Sequence, residues 1–337
     1  MPSRLTALLH SIKRILLALL AIPATIILVL LPIWAYGYYR SFDFSDRVPP
    51  PGRLVDIGTH RLHIDCEGSG SPTVILEAGG GNWSSTWEKV RHLMPGDIRV
   101  CAYDRAGMGW SDRGPGPRDV NTIAAELKLL LEKAGEVPPY IFVGISYGGT
   151  IGLTFVEQNL DAMAGFVAVE TPTYAFMKYR HESRFILQGT SRKIAAPVMT
   201  VLMTVGYKLA ASTGDTQWAG MSEYSLAAFQ DAGLQEKMAA TTVKEDAYVP
   251  ALEPAMQYGS LPIVVLQGAA SHLASREWDK NSQDLLATST DSRLVVINSA
   301  SHGVNTQAPE SIVAAIDWIR SGNLHPNAES GHANNLE

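Results

Sequence analysis

Cysteine is almost missing from this chain, with only Cys66 and Cys101 among 337 residues. That scarcity excludes a disulfide-stapled mini-protein, and neither residue belongs to a C-x-x-C pair, so structural zinc has no ligand set. A basic excess is missing too. Lys and Arg number 27 against 33 Asp and Glu, a net charge of −6. No run of like charge is long enough to serve as an interaction tail, and nucleic acid is excluded as a partner. Glycine and proline, at 29 and 19 residues, stay far below collagen or low-complexity levels. What the chain does have is apolar substance. With 46% hydrophobic and 18% charged residues it can bury a sizeable core, as one large α/β domain with an insertion or as two smaller domains.

From Ile15 to Tyr36 no charged residue occurs. At about 1.5 Å per helical residue this run is long enough to cross about 30 Å of hydrocarbon. Arg4, Lys13 and Arg14 precede it, and Trp34, Tyr36, Tyr38 and Tyr39 cluster at its far end as an interfacial belt would. The expectation is a single-pass anchor over 15–37 with a cytoplasmic N-terminus at 1–14 and everything after it exported, periplasmic or extracellular. Pro23 and Pro32 would kink the span or shorten it. A cleaved signal peptide is the alternative, although its apolar region would be shorter and its end less aromatic. Residues 38–53, with Pro49-Pro50-Pro51, read as a semi-rigid spacer, and residues 321–337 as a loose tail.

The body alternates strands with helices. Eight β-rich runs, LVDI (54–57), RLHIDC (61–66), TVILE (73–77), RVCAY (99–103), YIFVG (140–144), GFVAV (165–169), PIVVLQ (262–267) and RLVVIN (293–298), become nearly continuous in Val, Ile and Leu toward the C-terminus. Strands covered on both faces have that composition. Between them, Asn121 or Thr122 can cap the helical pattern IAAELKLLLEKAG, which stops at Gly135, and a second pattern, ESIVAAIDWIR, follows Pro309. Such alternation predicts a mostly parallel sheet with helices on both faces, divided into 54–172 and 261–320. Residues 173–260 break the rhythm. They hold Phe176, Met177, Phe185, Met199, Met203, Tyr207, Trp218, Met221, Tyr224 and Phe229 without a buried strand, which reads as an inserted helical lid.

Gly144-Ile145-Ser146-Tyr147-Gly148 stands between the strand YIFVG and an apolar helical stretch. In G-x-S-x-G the strand-to-helix turn is so tight that a β-carbon two residues before or after the serine would strike neighbouring backbone, and the serine itself is strained and exposed. Its hydroxyl then sits at a helix N-terminus, where unpaired N–H groups favour developing negative charge.

With ILEAGGG, YDRAGMGWSD (103–112), GISYGG and a late SASHG in order, the sequence resembles the α/β-hydrolase family over roughly residues 54–320. The resemblance implies an eight-stranded sheet with a lid inserted after the sixth strand. It also implies Ser146 as nucleophile, the Tyr147 N–H as one oxyanion donor, and a second donor from Gly80, with Gly81 as the one-residue alternative. His302, in the loop after the last strand, is the implied base, and His272 competes for that part. The acid usually follows the seventh strand, where Gly268-Ala269-Ala270-Ser271-His272 holds no carboxylate. Glu170, directly after the sixth strand, is the expected substitute, with Glu277 and Asp279 as alternatives and a two-residue Ser-His site also open. Asp104 and Arg105 read as architectural, and Glu77 has no assigned role. Cys66 and Cys101 would lie on neighbouring strands of the family's sheet. There they form either a bridge closing a loop of about 35 residues or two buried thiols.

The expected activity is hydrolysis of carboxylic esters through an acyl-enzyme, with no metal or organic cofactor. The expected partners are a small ester with an apolar acyl or aryl group and, through the N-terminal helix, a membrane. A serine at 146 disfavours an epoxide hydrolase or dehalogenase, which would use aspartate. Amide, peptide, thioester and acyl-transfer chemistry stay open, as does a catalytically silent protein that binds at the membrane surface.

Overall fold

The computed structural model describes residues 4–177, 204–205, 222–246, 257–274 and 276–322. Its centre is an eight-stranded sheet: β1 (Arg53–Asp56), β2 (Arg61–Glu67), β3 (Thr73–Glu77), β4 (Val100–Tyr103), β5 (Tyr140–Ile145), β6 (Met163–Val169), β7 (Ile263–Gly268) and β8 (Ser292–Ile297). They lie in the order β1-β2-β4-β3-β5-β6-β7-β8. The β1–β2 and β2–β4 pairs are antiparallel, and every later pair is parallel. All eight runs read from the sequence are strands, with ends shifted by at most two residues.

Helices cover both faces because β3, β5, β6 and β7 have no polar face to offer water. On one face, Leu127, Leu130 and Leu131 of the helix Val120–Ala134 pack with Leu153 and Phe155 of the helix Tyr147–Gln158. On the other, Ile312, Ile316 and Ile319 of the helix Pro309–Arg320 pack with Trp87 and Val90. The cap of Val120–Ala134 is Asp119, whose side chain accepts from Thr122 N at 2.9 Å, instead of Asn121 or Thr122. Its C-cap is Gly135 at φ 76. The register of β2 on β4 sets Cys66 opposite Cys101, and a disulfide joins them.

The N-terminal helix runs unbroken from Arg4 to Arg40 through both prolines. No helix of the described residues is long and apolar enough to cross a membrane, so the span expected at 15–37 lacks structural support. Within the semi-rigid spacer expected over 38–53, residues 38–47 do not form a linker. They are helical, and buried Phe44 packs with Trp83, Trp110 and Phe229, which gives this stretch an apolar reason to dock. Arg40 and Arg47 pair with Asp231.

In the insertion after β6, the described residues include helices Glu223–Phe229 and Ala232–Asp246. Phe185, Met199, Met203, Tyr207, Trp218 and Met221 lie outside the described residues, as does most of the 321–337 tail. Along Ala232–Asp246, Lys237, Thr241 and Glu245 recur every fourth residue and so share one face. All three grip the loop 104–112. Lys237 Nζ donates to Gly109 O at 2.7 Å and Ser111 O at 2.8 Å, and Thr241 Oγ1 donates to Gly107 O at 3.2 Å. Glu245 takes the Arg105 guanidinium. A side chain at Gly107, which has φ 82, would collide with Thr241.

Candidate active site

The turn after β5 has the backbone that G-x-S-x-G demands. Ser146 sits at φ 54 and ψ −124, a conformation costly for any residue with a β-carbon, and its N–H is held by Val169 O at 2.9 Å. A β-carbon on Gly144 would lie 2.6 Å from Gly148 O, and one on Gly148 would lie 2.6 Å from Glu77 O. Both glycines are therefore required by close backbone approach. Ser146 opens the helix Tyr147–Gln158, its own carbonyl accepting from Gly149 N at 2.9 Å.

Glu170 leaves the end of β6 at φ 47, the other described non-glycine residue with positive φ. Its carboxylate is buried and split between two partners. Oε1 accepts from Gly268 N at 2.6 Å, and Oε2 lies 3.0 Å from Nδ1 of His302. A carboxylate only accepts, so this contact puts the proton on Nδ1 and leaves Nε2 as the lone-pair nitrogen. The glutamate reaches from β6 past the end of β7 to the loop after β8. Gly268 keeps that route open, since a β-carbon there would lie 2.7 Å from Ala300 O. Of the other acids weighed, Glu277 is exposed on the helix Arg276–Leu286, and Asp279 is on the same helix. The side chain of His272 lies outside the described residues. The remaining histidines on described elements sit elsewhere, with His63 buried against Asp104 at 2.8 Å and His60 beside Glu126.

Ser146 and His302 line one cavity of about 390 Å³, together with Gly79, Gly80, Asn82 and Gln307. Among the described residues no hydrogen bond joins the serine to the histidine; the cavity opens between them. Unliganded sites often hold such bonds long and close them around substrate. The His302 side chain is 59% exposed, while that of Glu170 is fully buried. Gly80 is in the cavity wall, and a β-carbon on it would be 3.6 Å from Cβ of Tyr147, so the two expected donor residues are neighbours.

Beneath Gly79 and Gly80 lies a charge cluster that the sequence reading passed over. Arg105 is 2% exposed and pairs with Glu77 at 2.6 Å and Glu245 at 2.9 Å. Glu77 also accepts from the Tyr103 hydroxyl. Burial pushes the Glu77 carboxyl up to about 7 against the opposing pull of Arg105 and Tyr103. The same burial, together with the Glu77 charge, pushes the Tyr103 hydroxyl well above its usual value. Glu77 stood out in the sequence as an acid ending the apolar strand TVILE, but without a role. Glu245 carried no such mark.

Burial and electrostatics also explain Asp104. Desolvation would raise its carboxyl, but His63 and the N–H groups of Ser84 and Trp110 outweigh it and hold the carboxyl below the usual range. Its role as a turn-builder matches the sequence reading. Among the described residues, one group brings metal-ligand residue types together, Cys66, Cys101 and Glu136, and its two sulfurs are consumed by the disulfide.

The profile of the alpha/beta hydrolase fold family matches residues 72–309. A protein named as the probable transporter efuK of Hormonema carpetanum is 38% identical over 128 residues, 36% of this chain and 18% of that one. An AB hydrolase superfamily protein of Gibberella zeae is 38% identical over 104 residues, 30% of this chain and 32% of that one. The chain thus spans well under two thirds of these relatives. Among solved structures, a thermophilic esterase from Thermogutta terrifontis superposes with a TM-score of 0.53 at 21% identity, covering 80% of this chain and 99% of the esterase. A likeness at that identity speaks for the fold alone.

Proposed function

The chain belongs to the alpha/beta hydrolase fold family, and from that premise we propose that it is a serine hydrolase of carboxylic esters. Ser146 attacks the ester carbonyl as His302 Nε2 removes its proton. Glu170 holds the imidazole in the competent tautomer and offsets the imidazolium that forms. The N–H groups of Gly80 and Tyr147 receive the oxyanion, His302 returns its proton to the departing alcohol, and water activated by the same histidine frees the acid. The observation that carries this reading is the Glu170–His302 pair at 3.0 Å, facing across one cavity a serine held at φ 54. The cavity wall mixes polar side chains, Asn82, Thr86, Asn305 and Gln307, with the apolar surface of Ile145 and the glycines.

A fluorophosphonate probe tests the assignment. Wild-type protein should be labelled covalently and Ser146→Ala should not, with ester turnover falling by about 10⁶-fold in the variant. An unlabelled, folded wild type would instead favour the silent binding protein, for which the lack of a Ser146–His302 hydrogen bond among the described residues is the supporting observation.

We further propose that the N-terminal helix anchors the domain on the exported side of a membrane. Support comes from the uncharged run 15–36 and the exposed side chains of Ile15, Ile22, Ile27, Leu28 and Val29. The Cys66–Cys101 bridge suits an oxidising compartment. Full-length protein should stay with membranes through carbonate extraction; its release would contradict the anchor.

A further inference from the structure

We propose that Arg105 is a positioning residue that aims the Gly80 N–H into the cavity, and that Glu245 makes this aim depend on the seating of the insertion helix. The proposal rests on the serine-hydrolase reading and adds to it the device that shapes the oxyanion site.

A guanidinium has five N–H donors in a fixed plane. Arg105 spends one on each of five contacts. Nη1 donates to Glu77 Oε1 at 2.6 Å and to Ala78 O at 2.7 Å; Nη2 donates to Gly79 O at 3.0 Å and more loosely to Glu245 Oε2 at 3.4 Å; Nε donates to Glu245 Oε1 at 2.9 Å. Two of these acceptors are consecutive backbone carbonyls of the glycine loop. In a trans peptide the carbonyl of one residue and the N–H of the next point in opposite directions. Drawing Gly79 O toward Arg105 therefore turns the Gly80 N–H away from it. Gly79 and Gly80 line the cavity, whereas Arg105 does not.

Glycine makes this clamp necessary. Gly79, Gly80 and Gly81 have no side chains to fix their peptide planes, and glycine crosses φ/ψ regions closed to other residues. Gly79 O also accepts from Asn82 N at 3.2 Å; without Arg105 this longer turn bond alone opposes rotation of the carbonyl toward the cavity, which would replace a donor with an acceptor where negative charge must develop. Arg105 also lies over the ring of Tyr147, 5.7 Å from its centroid, so it borders both donor residues.

Glu245 extends the clamp to the insertion. It is in the last turn of Ala232–Asp246, the helix whose Lys237 and Thr241 grip the loop carrying Arg105. Withdrawal of this helix would remove two of the five contacts and leave the guanidinium held only by Glu77, Ala78 O and Gly79 O, without the carboxylate that fixes its Nε side. Ester turnover thereby becomes sensitive to where the insertion sits.

Steady-state kinetics on a p-nitrophenyl ester, with Arg105→Lys and Glu245→Gln, test the proposal. Lysine keeps the charge but has three donors and no fork, so kcat should fall by about 10²-fold with KM within about threefold, the loss expected for one oxyanion donor. Affinity for a trifluoromethyl ketone, whose adduct places an oxyanion in the hole, should fall in parallel with kcat/KM. Glu245→Gln should show the same pattern at about tenfold or less, since the amide keeps an acceptor for Arg105. Titration of active sites with a fluorophosphonate separates this from general damage. A merely structural role would lower the number of active sites and leave kcat per site and ketone affinity unchanged, and that result in either folded variant overturns the proposal. Should Arg105→Lys fail to fold, Glu245→Gln carries the test alone. Absence of Ser146-dependent labelling in wild type is a distinct result, which removes the hydrolase reading and this proposal with it.

Discussion

Two carboxylate contacts border one cavity, and they treat charge in opposite ways. In Glu170–His302 the acid is sealed and the base is 59% exposed, so the imidazole can meet a substrate and exchange a proton. In Glu77–Arg105–Glu245 all three side chains are within 2% of full burial. The fold seals that cluster, and its guanidinium stays charged. The first arrangement can do chemistry because one partner is wet. The second can only hold shape, and what it holds is the backbone on which the first depends. Burying three charges is justified energetically only where every donor is matched, as the five contacts of Arg105 are.

The contrast is broken most severely at Glu170. Glu170→Gln keeps size and one acceptor but loses the charge that selects the tautomer and steadies imidazolium, so kcat should fall by about 10⁴-fold. Asp279→Asn, made for comparison, should leave kcat within about twofold, because Asp279 is on the helix Arg276–Leu286 while Glu170 occupies His302 Nδ1. Parallel stopped assays on the two variants check this. Near wild-type activity in Glu170→Gln would move the acid elsewhere and reopen the two-residue alternative.

Much of this division could be read from the chain, and the boundary of what could is physical. Parallel strands buried on both faces announce themselves as runs such as YIFVG and IVVLQ, which made β5 and β7 plain from composition. Ser146 was legible because its turn imposes glycines at 144 and 148 for local steric reasons. Glu170 was expected from the resemblance to the α/β-hydrolase family, because the turn after β7 offered no carboxylate, with Glu277 and Asp279 left as alternatives. Asp119 was missed as a cap because the apolar spacing begins only at Ile123, three residues beyond the true start. The docking of 41–47 was hidden because Phe44 finds its partners, Trp110 and Phe229, far along the chain. Arg105 read as architectural, but its partners were hidden for the same reason. Its contacts lie 28 residues back at Glu77 and 140 residues forward at Glu245, and no local pattern specifies a charge that will be buried by such distant partners.

A smaller effect sharpens the same comparison through pH, since only the sealed cluster contains a carboxyl raised to about 7. A folded-state pKa above the unfolded value means that the native protein holds the Glu77 proton more tightly than the unfolded chain does. Stability from this group is then complete below about 4.5 and declines as pH rises toward about 7. Between pH 5 and pH 7.5 the decline should amount to about 2 to 3 kcal/mol from this residue. Glu77→Gln presents a permanently neutral group to Arg105 and Tyr103 and removes the titration. Urea melts of wild type and variant at the two pH values check it through the difference of differences, in which carboxyls common to both proteins cancel. An unchanged difference would mean that Glu77 stays ionised throughout, balancing Arg105 together with Glu245. The cluster would then be anionic at every working pH, and its grip on the glycine loop would not vary across the range in which His302 must gain and lose its proton.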